Sequence, residues 1–127
     1  MNYKNLIHRR IFREAMRTRK NSDRKYLAIL FLLTSHRAMW NRVKYYVRDD
    51  GIRFDDVSMA GCTGEEYTLF RCAQDLYNDS ANITVSELAD TEVISNEAFE
   101  VIAGALRIAR YGLPTNEKGT KKGVFRT

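Results

Sequence analysis

Two histidines (His8 and His36), two cysteines (Cys62 and Cys72) and four aspartates (Asp49, Asp50, Asp55 and Asp56) are the residues of this 127-residue chain whose types and spacing suit acid–base or metal chemistry. An imidazole titrates near neutrality, so His8 is the first candidate for a general acid or base. At helical spacing it falls on an apolar face, with no carboxylate one turn away to orient it. The expectation is a hydrogen-bonded core histidine, and His36 is expected near a helix cap or on the surface. A zinc site needs four N or S ligands, and no C-x-x-C or H-x-x-x-H pair supplies two of them locally. The aspartates would suit Mg²⁺, and two such ions can drive phosphodiester cleavage. They lack the ligand alternation of a calcium loop and a following Lys, so a polar turn between helices is expected instead. No phosphate-binding glycine loop, nucleophile elbow or dinucleotide fingerprint occurs. No catalytic residue, cofactor or metal ligand is therefore assigned.

The elements follow from periodicity. Indexed at about 100° per residue, the opening segment up to Lys20 puts Ile7, Ile11, Phe12, Ala15 and Met16 on one side of a helix. Arg9, Arg10, Arg13, Arg17 and Lys20 share the opposite arc, while Arg19 strays to the apolar edge. After a cap at Asn21 or Ser22, the continuous run "YLAILFLL" predicts a helix buried on most sides, since Leu and Ala outweigh β-branched residues. A third helix is expected from His36 to Val47, stopped by "DDG" with Gly51 at positive φ. The T-x-x-E spacings at Thr63 and Thr84 predict capping boxes opening further helices, and Ser95 predicts the cap of the last. The expected inner faces are Tyr67, Phe70, Ala73, Leu76 and Tyr77, then Phe99, Ile102, Ala105, Leu106 and Ala109, with a stop at Gly112 and Pro114. The prediction is a mainly α, single-domain bundle of about five helices over residues 1–113. A minor short β segment is expected near Ile52–Phe54, and a disordered basic tail over 114–127.

Charge is the strongest compositional signal. Residues 1–48 hold 13 Lys+Arg against 2 Asp+Glu, residues 49–112 hold 4 against 13, and residues 113–127 hold 4 against 1, within a net charge of +5. An ordinary solvated helix face alternates sign at i and i+4. Here Arg9/Arg13 and Arg13/Arg17 repel at that spacing by a few tenths of a kcal/mol. A polyanion-binding or partner-binding face at Arg9, Arg10, Arg13, Arg17 and Lys20 is the reading this favours. Nucleic acid, an acidic protein surface and the acidic half of a second copy all fit. No base-reading motif accompanies the arc. No uncharged apolar run of about 18 residues exists and the N-terminus lacks an apolar signal region, which predicts a cytoplasmic protein with no membrane span.

His8 with Phe12, "YLAILFLLT" (Tyr26 to Thr34), Trp40, "DLYND" (Asp75 to Asp79) and "ALRIARYGL" (Ala105 to Leu113) together resemble a family of small proteins carried by phages and prophages of Gram-positive bacteria. The matching pieces are mostly core residues, and the family brings no active site with it. The resemblance implies a non-enzymatic accessory protein of the bacterial host cell that binds a host protein or nucleoprotein complex, such as a CRISPR effector, and inhibits defence. The alternative expectation is a sequence-nonspecific nucleic-acid-binding protein, and a metal-dependent phosphodiesterase comes third.

Overall fold

The computed structural model describes residues 1–114. Along the chain run α1 (Leu6–Arg17), α2 (Arg24–Leu33), α3 (Arg37–Val43), a hairpin of β1 (Val47–Arg48) and β2 (Gly51–Ile52), α4 (Gly64–Asn78), α5 (Val85–Leu88) and α6 (Asn96–Tyr111). The expected mainly α bundle forms, with a sixth helix if the single turn α5 is counted. The tail expected over 114–127 lies, from residue 115, outside the described residues. Among the described residues no helix is long and apolar enough to cross a membrane.

α2 is the axis of the core. Tyr26 to Leu33 are all buried, because α6, α4 and α1 cover it from different sides. That explains its continuous apolar run, since a helix covered on one side alone would carry a stripe. Each fully buried Leu or Ile contributes about 1.5–3 kcal/mol over leaving it exposed. The N-cap is Asp23, whose carboxylate accepts from the Lys25 and Tyr26 amides, and not Asn21 or Ser22. Asn21 is engaged further back, accepting from the Asp23 amide at 2.9 Å. At the other end Thr34 Oγ1 donates to the Leu30 carbonyl at 2.6 Å and Ser35 Oγ to that of Leu32 at 2.7 Å, each adding a second donor to a carbonyl that the same residue's amide already engages.

α6 approaches α2 closely through Gly104. A Cβ there would lie 2.9 Å from the Phe31 ring, so only glycine allows this packing without a shift. The capping boxes at Thr63 and Thr84 and the Ser95 cap form as predicted, and Gly112 ends α6 at φ 81°. The inner faces follow the prediction in part, at Phe70, Ala73, Ile102 and Ala105, with Leu76 and Ala109 packed at the edge of the core. α4 buries Glu66, Leu69, Phe70, Cys72 and Ala73, and α6 buries Ala98, Val101, Ile102, Ala105 and Ile108. Tyr67, Tyr77, Phe99 and Leu106 are exposed. Small alanines turned inward let these helices close on α2, and the bulkier rings and leucine are left at the rim.

The third helix is shorter than predicted. It stops at Val43, passes through a 3₁₀ turn over Lys44–Tyr46 and enters β1, which pairs antiparallel with β2 in the register Val47↔Ile52 and Arg48↔Gly51. Asp49 and Asp50 form the hairpin turn, and Gly51 sits in β2 without positive φ. The expected short β segment is therefore Gly51–Ile52, and Phe54 opens a 3₁₀ turn. Arg19 fixes this region. Its guanidinium lies 5.0 Å over the Trp40 ring and donates to the Lys44 and Val47 carbonyls at 3.1 Å each. A cation two residues beyond α1 thus ties the end of that helix to the backbone where α3 gives way to β1.

Candidate anion-binding surface

α1 is started by Asn5, whose side chain accepts from the His8 amide at 2.8 Å. His8 itself is fully buried among Tyr3, Phe12 and Phe31, its ring centroid 4.5 Å from that of Phe31. Its Nδ1 accepts from the Lys4 amide at 3.0 Å, so the proton sits on Nε2, which donates to the Phe31 carbonyl at 2.9 Å. Both nitrogens are committed in the neutral form. Burial holds its pKa down from 6.5 to about 4, against the Phe31 hydrogen bond and with the Lys4 charge. His8 is the hydrogen-bonded core histidine expected.

The predicted cationic arc is only partly assembled. Arg9 and Arg10 are exposed and make no ion pair or side-chain hydrogen bond among the described residues. Arg13 is half-buried and has an interaction of its own. Arg17 pairs with Glu14 one turn back, so the face is not of one sign along its length. Lys20 lies beyond the helix, which ends at Arg17 with Thr18 as C-cap. The reason is tertiary: Asp49 Oδ1 accepts from the Lys20 amide at 2.8 Å and the Asn21 amide at 2.9 Å, turning the chain towards α2. Leu6 and Ile7 are also exposed, so Ile7 leaves the apolar side assigned to it. What remains is an N-terminal patch of Arg9 and Arg10 beside two solvent-facing apolar residues.

This patch runs against the helix's own electrostatics. Unsatisfied amides give a helix N-terminus a partial positive charge, which favours Asp or Glu there and disfavours cations. α1 has no acidic residue in its first turn, and its arginines begin immediately after it.

The remaining chemical candidates are separated by the fold. Asp49 is bound to the backbone, its carboxyl held below the usual range by the Asn21 and then the Lys20 amide. Asp56 pairs with Arg53 at 2.8 Å. Among the described residues no three His, Cys, Asp or Glu side chains converge in a metal-holding group. Cys62 and Cys72 are unpaired thiols, and burial pushes Cys72 up to about 11, with Asp75 adding to it. A contact invisible in sequence joins His36 to α4: its Nε2 lies 2.8 Å from Glu65 Oε2 and 2.9 Å from Lys4 Nζ, while Nδ1 lies 3.2 Å from Ser35 Oγ. The order Ser, His, Glu resembles a nucleophile relay. Ser35, however, is buried and its hydroxyl already donates to Leu32 O, so the cluster ties the starts of α3 and α4 to the N-terminal segment. Ser95 Oγ completes it by donating to Glu65 Oε1 at 2.8 Å.

No family model matches the chain, and no curated protein or solved structure matches it either.

Proposed function

We propose that the chain is a non-enzymatic binding protein in which α1 presents Arg9 and Arg10 to an acidic surface on a protein or nucleoprotein complex. The observation that carries this reading is the placement of two exposed arginines, without an ion pair among the described residues, near a helix N-terminus whose dipole does not favour them. Leu6 and Ile7 beside them supply apolar contact area that charge steering alone does not provide. Taken with the resemblance to small phage and prophage proteins, the reading extends to an accessory factor that binds and blocks a host defence complex such as a CRISPR effector.

The test is affinity capture from a nuclease-treated lysate of a Gram-positive host, using the wild-type chain and the Arg9→Glu/Arg10→Glu variant at low and high salt. A partner retained by the wild type at low salt, and lost from the variant, supports the proposal. An identical set of captured proteins for both chains sinks it. Capture seen from an untreated lysate and absent from the nuclease-treated one shifts the reading to a nonspecific nucleic-acid-binding protein.

A further inference from the structure

A second group of cations gathers around an exposed ring at the C-terminal end of α6. Tyr111 is 60% exposed, and the guanidinium carbons of Arg107 and Arg110 lie 5.8 and 5.5 Å from its ring centroid. Arg24 reaches in from the start of α2, its Nη1 donating to the Arg110 carbonyl at 2.9 Å. All three arginines are exposed, and none has a carboxylate in ion-pair distance among the described residues. Beside them a groove of about 610 Å³ follows α6, walled by Asn2 and running from Glu100 past Gly104 to Arg107 and Tyr111.

Helix-end electrostatics explain part of this arrangement. Cations near a helix C-terminus are favourable, and Arg24 satisfies a carbonyl that the helix leaves open. That account gives no role to a tyrosine ring left mostly in solvent with two guanidiniums over it. An exposed ring with two solvent-exposed guanidiniums over it, which can turn from the ring to flanking phosphates when a base takes their place, provides stacking and charge together, the two elements of single-strand binding.

We infer that the α6 end is a stacking site for single-stranded nucleic acid, in which a base lies on Tyr111 and Arg24, Arg107 and Arg110 meet the flanking phosphates. Glu100 at the other end of the groove repels phosphate, which confines the site to a few nucleotides around Tyr111. An acidic protein would use the arginines but has no need of the ring. The site is separate from the α1 patch and does not depend on the reading given to it, though a nucleoprotein target would offer a ligand to each.

The experiment is fluorescence anisotropy of the full chain with a labelled oligothymidylate of about 15 nucleotides, and with a duplex of the same length, at two salt concentrations. The single strand should bind more tightly than the duplex. Tyr111→Ala should weaken it by about 5- to 150-fold, the equivalent of 1–3 kcal/mol of stacking, while Tyr111→Phe retains it because the ring and not the hydroxyl is used. Arg107→Ala/Arg110→Ala should flatten the salt dependence by about 0.7 per lost phosphate contact. The Tyr111→Ala loss should persist in the Arg9→Glu/Arg10→Glu background, and unchanged far-ultraviolet circular dichroism shows that each variant folds. Absence of binding at low salt, equal affinity for duplex, or a Tyr111→Ala chain that binds like wild type would overturn the inference. So would a Tyr111 effect that vanishes in the Arg9→Glu/Arg10→Glu background.

Discussion

Protonating His8 should unfold the protein from within. In the folded chain both imidazole nitrogens are engaged in the neutral form, Nδ1 accepting from Lys4 and Nε2 donating to Phe31, and burial holds the pKa down from 6.5 to about 4. In the unfolded chain the ring takes up a proton near 6.5. The unfolded state therefore binds more protons as pH falls between those values, so the stability present above 6.5 is progressively lost on acidification. The full loss, reached below about pH 4, is about 3 kcal/mol at 1.36 kcal/mol per pH unit, and about 2 kcal/mol is already lost by pH 5. Urea unfolding of the wild type and of His8→Gln at pH 7 and pH 5 isolates this contribution. Every other titrating group is common to both chains. The wild type should lose about 2 kcal/mol more than the variant over that interval. Parallel losses in the two chains would refute the buried, neutral imidazole. Nitrogen chemical shifts of His8 give an independent check, since Nδ1 must report as the unprotonated nitrogen at pH 7.

Two further predictions concern the frame that holds these surfaces. Gly104→Ala should destabilise the protein by about 1–3 kcal/mol, despite a helix-propensity gain of about 1 kcal/mol, because its Cβ would press on a Phe31 ring locked by His8 and Phe12; a higher melting temperature would contradict the close α2–α6 approach. Asp75 accepts from Ser80 Oγ at 2.7 Å, from the Asn82 amide at 2.8 Å and from the Ile83 amide at 2.7 Å. Although burial pushes its carboxyl up, these bonds hold it below the usual range, so its contribution is present at neutral pH and lost as pH falls through the lowered pKa. Asp75→Ala should cost about 1–3 kcal/mol and raise amide exchange at Asn82 and Ile83 first, and unchanged exchange there would show that the loop does not depend on the carboxylate.

The parts of the fold legible in the sequence are those set by local chemistry. Capping boxes at Thr63 and Thr84, the Ser95 cap and the Gly112 stop are decided within a few residues, and the apolar side of α1 identified His8 as a core group. What the sequence did not disclose depends on distant partners. Nothing near Lys20 signals that Asp49 will take its amide and end the arc at Arg17, and nothing near Tyr46 signals that Arg19 will hold the carbonyls on either side of it. The misjudged faces of α4 and α6 have another cause. Both helices carry more apolar residues than one seam needs, so Phe70, Ala73, Ile102 and Ala105 are placed inside as found while Tyr67, Tyr77, Phe99 and Leu106 displace Leu69, Ala98, Val101 and Ile108 from the predicted faces. The series Ala98, Val101, Ile102, Ala105, Ile108 is a seam at helical spacing, rotated by about one residue from the one predicted through the same Ile102 and Ala105.

The central claim is that Arg9 and Arg10 serve a contact outside the molecule and not the fold. It is tested most directly by measuring stability and binding on one variant, Arg9→Glu/Arg10→Glu. Reversing these charges places acids near the N-terminus of α1 and replaces the repulsion between Arg9 and Arg13 with attraction, while Arg10→Glu sets a like charge one turn before Glu14, so urea unfolding should show a chain within about 0.5 kcal/mol of wild type. Capture of the host partner by the same variant should fall to background. A variant that loses stability while keeping its partner would contradict the account.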